Sequence, residues 1–74
     1  MKYQSDKEAY ENIMCMFIHQ TDKAVLIEPE NNKSELWIPK SLLSHSEHEM
    51  DGWQKGDMIN LRVATWFIDK NDLT

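Results

Sequence analysis

The sequence predicts a mainly β (α+β) domain, a small antiparallel meander or partly open barrel of 4-5 strands with a short C-terminal helix. Three stretches carry that expectation. Residues 13–18 and 24–27 are apolar runs split by polar Gln20-Thr21-Asp22-Lys23, the pattern of a hairpin. Leu36-Trp37-Ile38 is a β-type run that stops at Pro39, which has no N–H to give to a ladder. Residues 58–63 alternate, with Ile59, Leu61 and Val63 on one face and Asn60 and Arg62 on the other, as in a half-exposed strand.

Taken in order, residues 1–11 are either frayed or a short helix. Ser5-Asp6-Lys7-Glu8 matches a capping box, and Ala9, Ile13 and Phe17 recur at helical spacing. Yet residues 13–18 are apolar on every face, which suits a central strand. The favoured reading is a helical turn near 6–11 followed by a strand near 12–19. Pro29 ends the second strand, and Glu30-Asn31-Asn32-Lys33-Ser34 forms a turn, because asparagine tolerates the left-handed conformation of tight reversals. In the third strand Leu36 and Ile38 share one face and Trp37 takes the other. Leu42 and Leu43 fold back onto the core. Ser44-His45-Ser46-Glu47-His48-Glu49 is expected to be an exposed polar stretch, and residues 52–57 a loop. After the last strand, Trp66, Phe67, Lys70 and Leu73 are spaced for a helix that Thr65 caps, with a final strand through Phe67 as the alternative.

Residues 1–74 are expected to form a single small domain. A chain of this length buries only about 60–65% of its unfolded surface, so a homodimer or a partner is one route to stability. The 13 acidic against 8 basic side chains give a net charge of −5, which opposes non-specific phosphate binding and suits docking on a basic surface. Arg62 is the only arginine, which disfavours sequence-specific reading of DNA. Cys15 is the only cysteine and excludes an intrachain disulfide or a cysteine-rich zinc site. No apolar stretch reaches the roughly 20 residues of a membrane span, and the first residues are polar rather than signal-like. The expected compartment is the cytoplasm, with no membrane association.

Few residues offer site chemistry. His45, Glu47, His48 and Glu49 are the only cluster with ligand character, but the spacing is not that of a zincin, and a solvated loop explains it as well. Cys15 and His19 on one strand stand roughly 13 Å apart, too far for a thiol–imidazole pair. Only two glycines occur, and no phosphate loop or nucleophile elbow is present. No cofactor, metal or catalytic residue is assigned, and the chain is not expected to be an enzyme. Of the three tryptophans, two are expected in the core and one at an interface, where tryptophan is a preferred anchor. The residues assigned to partner binding are Trp37, Lys40, Trp53, Glu47, Glu49 and Asp51. A Lys40–Ser41 corner displayed on a rigid base is the functional reading of the Pro39 break, and a solvated turn the plain one.

Thr21-Asp22-Lys23-Ala24, then Trp37-Ile38-Pro39-Lys40-Ser41, then Trp66-Phe67 resemble small, mostly uncharacterised bacteriophage and prophage proteins. Those carry a Thr-x-Lys-Ala hairpin, a Trp-x-Pro-Lys-Ser corner and a terminal tryptophan-containing helix. The likeness covers about residues 13 to 73 and departs from the pattern in the long insertion 44–56 and at Thr65 and Ile68. It implies a compact β fold in a bacterial host's cytoplasm and supplies no catalytic residues. The expected function is a non-enzymatic small acidic binding protein that docks on a host or defence protein as an inhibitor candidate. The alternative is a single-stranded nucleic-acid-binding module using exposed aromatics and a lysine cluster.

Overall fold

The computed structural model describes residues 9–30 and 34–73. The capping box at 5–8 therefore lies outside the described residues, as does most of the turn at 30–34. Four antiparallel strands form one open sheet: β1 (Tyr10–Gln20), β2 (Ala24–Pro29), β3 (Leu36–Pro39) and β4 (Met58–Ala64), in the order β3-β2-β1-β4. Between β3 and β4 lie a single 3-10 turn (Lys40–Leu42) and a short helix α1 (Glu47–Asp51), and the chain continues from β4 into α2 (Thr65–Asn71).

Residues 13–18 are the middle of a central strand, flanked by β2 on one side and β4 on the other. The expected strand start near 12 moves to Tyr10, because residues 10–12 pair with Ala64, Val63 and Arg62 of β4. A bulge interrupts the register between Phe17 and His19, so that one extra residue of β1 faces β2 there. Its effect is a change of face. Ile13, Cys15 and Phe17 point to the core, but beyond the bulge His19 points away from it and Gln20 turns inward, where its amide Nε2 donates to the Met50 carbonyl at 2.9 Å.

The core lies on one face of the sheet. Cys15, Val25, Ile27, Ile38, Leu61 and Val63 are fully buried there, and Leu43, Met50, Ile68 and Leu73 cover them. β-branched residues fill most of the inward-facing strand positions (Ile13, Val25, Ile27, Ile38, Ile59 and Val63), where their restricted rotamers pack against neighbours at little entropic cost. Leu42 and Leu43 do fold back: Leu43 is buried and bridges to Val63.

Three expectations need correction. The 44–49 stretch is exposed at Ser46 to Glu49 as expected, but it opens a helix rather than a loop, and Ser44 and His45 are half-buried. Ser46 caps α1 by accepting the Glu49 N–H at 3.1 Å, and the His45 side chain is largely enclosed. Thr65 is the first residue of α2 rather than its cap; the N-cap position falls on Ala64, the last residue of β4, whose methyl group cannot make a side-chain cap bond. No tryptophan enters the fully buried core. Trp37 and Trp66 are exposed and Trp53 only packs against the edge of the core, since the thin sheet's interior is filled by aliphatic side chains.

Candidate binding surfaces

The opposite face of the sheet carries no helix or loop among the described residues. Strand alternation projects Met14, Met16, Leu26, Glu28, Trp37 and Met58 onto it. Met58 is 55% exposed, Trp37 46% and Met14 43%, values unlike those of their buried neighbours in sequence. The register places these residues in rows across the sheet: Trp37 opposite Leu26 and Leu26 opposite His19, then Glu28 opposite Met16 and Met16 opposite Met58. Consecutive rows on one face lie ~7 Å apart, so the two form one continuous surface. The imidazole of His19 stands edge-on to the Trp37 ring with centroids 6.2 Å apart. At the other end, Arg62 and Asn12 form a further row, joined by the Arg62 Nε–H donating to Asn12 Oδ1 at 3.4 Å.

The Lys40–Ser41 corner is built by local bonds that account for both short motifs. In the β1–β2 turn the Thr21 hydroxyl accepts the N–H groups of Lys23 and Ala24 at 3.3 and 3.2 Å, and the Thr21 N–H donates to the Ala24 carbonyl at 2.8 Å. Here a threonine hydroxyl holds the reversal by side-chain bonds, where tighter hairpins rely on the positive φ that glycine permits. The Lys40 N–H then donates to the Lys23 carbonyl at 2.8 Å, tying the corner to that turn. Beside it opens a cleft of about 460 Å³ lined by Asp22, Lys40, Ser41, Glu47, Met50 and Asp51. Three carboxylates share it with one ammonium.

His45 is fixed from both sides. Its Nδ1 lies 3.0 Å from Glu49 Oε2, and its Nε2 accepts the Arg62 backbone N–H at 2.9 Å. The Ser44 N–H donates to the Arg62 carbonyl at 3.0 Å, so segment 43–45 closes the free edge of β4 at that point. The imidazole also meets the Trp53 ring edge-on at 5.1 Å, and Trp53 leans on Phe17 at 5.8 Å. His48 is exposed and lies apart from this arrangement.

The six residues assigned to partner binding thus divide. Trp37 stands on the open face; Lys40, Glu47 and Asp51 line the cleft; Glu49 holds His45, and Trp53 packs between His45 and Phe17. Sequence reasoning missed Met14 and Met58. Alternation at 58–63 placed Met58 opposite the core, but only the strand order brings it beside Met16. Cys15 is sealed inside, and burial pushes its thiol up to about 12, leaving a protonated sulfur at neutral pH. Among the described residues no group of His, Cys, Asp and Glu is arranged to hold a metal ion, and no helix is long and apolar enough to cross a membrane. The chain matches no family model, no curated protein and no solved structure.

Proposed function

We propose that this chain is a non-enzymatic binding protein that docks on a protein partner through the open face of its sheet. The observation that supports it best is the placement of Trp37, Met14 and Met58 on a side of the sheet that no described residue covers. Burying such side chains against a partner recovers about 1.5–3 kcal/mol each in full burial, and tryptophan is the commonest anchor of protein interfaces. Methionine adds adaptability, because its unbranched thioether fits partners of varied shape. The net charge of −5 favours a basic partner surface. The likeness to phage and prophage proteins over residues 13 to 73 supports a mobile-element origin, a host or defence protein as the partner, and a bacterial cytoplasm as the setting.

A second reading has one observation in its favour. Trp37 with His19 edge-on forms a small stacking platform, and Lys23 and Lys40 are neighbours through the backbone bond that joins their two turns. That combination fits single-stranded nucleic acid. The carboxylates of Asp22, Glu47 and Asp51 beside Lys40 weigh against it.

Tryptophan fluorescence during titration with single-stranded oligonucleotides at low salt separates the two. A flat response is expected; saturable quenching reversed by salt would replace protein docking with nucleic-acid binding. In parallel, affinity capture from bacterial lysate should retain a protein on the wild type that is lost from Trp37→Ser/Met58→Ser.

A further inference from the structure

The open face is chemically lopsided. The Glu30 N–H donates to the Met14 carbonyl at 3.1 Å, so the β1–β2 pairing runs past Pro29 and sets Glu30 on the same side as Glu28. These two carboxylates flank the methionines of the central strand. Between them lies a notch of about 180 Å³ lined by Met16, Glu28, Pro29, Glu30 and Met58. Among the described residues no basic side chain lines it, and neither glutamate's carboxylate has an ion pair or hydrogen bond. Glu28 is half-buried and Glu30 exposed, so the notch is open to solvent at one carboxylate and partly enclosed at the other.

Resting on the docking reading above, we infer that this notch receives an arginine or lysine side chain of the protein partner. Its aliphatic stem lies along Met16 and Met58, and its charged head reaches Glu28 and Glu30. Long basic side chains bury their stems on apolar surface while keeping their heads among polar groups, which is the division this notch offers. Two carboxylates suit a guanidinium especially, because its planar fork of donors engages oxygens in pairs. The occupant that competes for the site is a second copy of this chain, whose Arg62 lies on the same face.

The test uses a fluorescein-labelled leucine-rich peptide carrying one central arginine, and the same peptide with citrulline, which keeps the shape and removes the charge. Fluorescence anisotropy should show the arginine peptide binding the wild type about 5-fold more tightly, the scale expected of partly exposed ion pairs. In Glu28→Gln/Glu30→Gln that preference should vanish. It should persist in Asp69→Asn/Asp72→Asn, which removes equal charge from α2 and the residue that follows it, and so controls for net charge. A preference that survives in the double glutamine variant, or no binding of the arginine peptide up to millimolar concentration, overturns the inference. So does a wild-type dimer that Arg62→Gln disperses, since the notch would then be filled by a second copy. If peptide binding ignores the glutamates yet is lost in Trp37→Ser/Met58→Ser, the docking face stands and only its preference for a basic side chain falls. Loss of neither sinks both.

Discussion

The two faces of this sheet are written by alternate residues of the same strands, yet they are built from different chemistry. The inner face is built mostly of isoleucine, valine and leucine, and it is buried. The outer face uses methionine and tryptophan beside glutamates, and Met14, Trp37 and Met58 stay exposed. Stiff side chains suit a surface with one permanent neighbour, and pliant ones suit a surface whose neighbour arrives later. The contrast teaches that apolar content alone does not locate a core; the branching of the side chain carries part of the message.

The sharpest way to break the comparison is a matched pair of truncations. Leu61→Ala on the inner face should cost about 2–5 kcal/mol by urea unfolding, enough to leave so small a domain largely unfolded. A cost below about 1 kcal/mol would show that the inner face is not the close-packed one. Cys15 offers a second probe of the same face. Its thiol lies above its ordinary value in the folded chain, so the stability it contributes is full below pH 9 and is lost as pH rises from 9 toward about 12. Cys15→Ala should flatten the fall in stability over that window, and unchanged slopes would place the thiol in contact with water. Native protein should also react with a thiol reagent at pH 8 no faster than it unfolds.

A smaller effect is expected where the two faces meet. His45→Ala removes the acceptor of the Arg62 N–H and the ring against Trp53, and should cost about 1–3 kcal/mol with a changed tryptophan emission. His45→Asn, which supplies an acceptor without the ring, should recover part of that loss; equal losses would assign the effect to packing alone. The smallest effect belongs to the outer face. Met58→Ala should shift stability by less than about 0.5 kcal/mol while weakening any partner captured through Trp37. A large loss of stability there would mean that the outer face is covered in the native molecule.

Much of the architecture was legible because it is local. The Pro39 break, the alternation of 58–63 and the polar split at 20–23 each follow from backbone rules that act over a few residues, and each stands where expected. The ambiguity over 6–18 has a physical source: outward methionines on a central strand leave it apolar at both parities, which a helix could also satisfy. Nothing local marks the bulge after Phe17, which depends on the pairing of β1 with β2. The short helix α1 does carry a local signal, the Ser46-Glu47-His48-Glu49 capping pattern, which sequence reasoning missed; only its approach to the sheet depends on distant partners, with His45 reaching Arg62 and Trp53. The site was half legible for the same reason. Trp37 could be assigned outward by alternation alone, whereas its kinship with Met58 and Glu28 arises only once β1 lies between β2 and β4.

The bonds that segment 43–45 makes to Arg62 have a consequence for solution behaviour. An open sheet ordinarily invites other chains to lengthen it strand by strand, the route to fibrils. Here one border is stitched at Arg62 and Val63, and the other is a strand of four residues ending in proline. Growth in the plane of the sheet is blunted while its flat side stays available. At high concentration the chain should therefore crowd without seeding ordered aggregates, and replacing Pro39 is the change most apt to remove that protection.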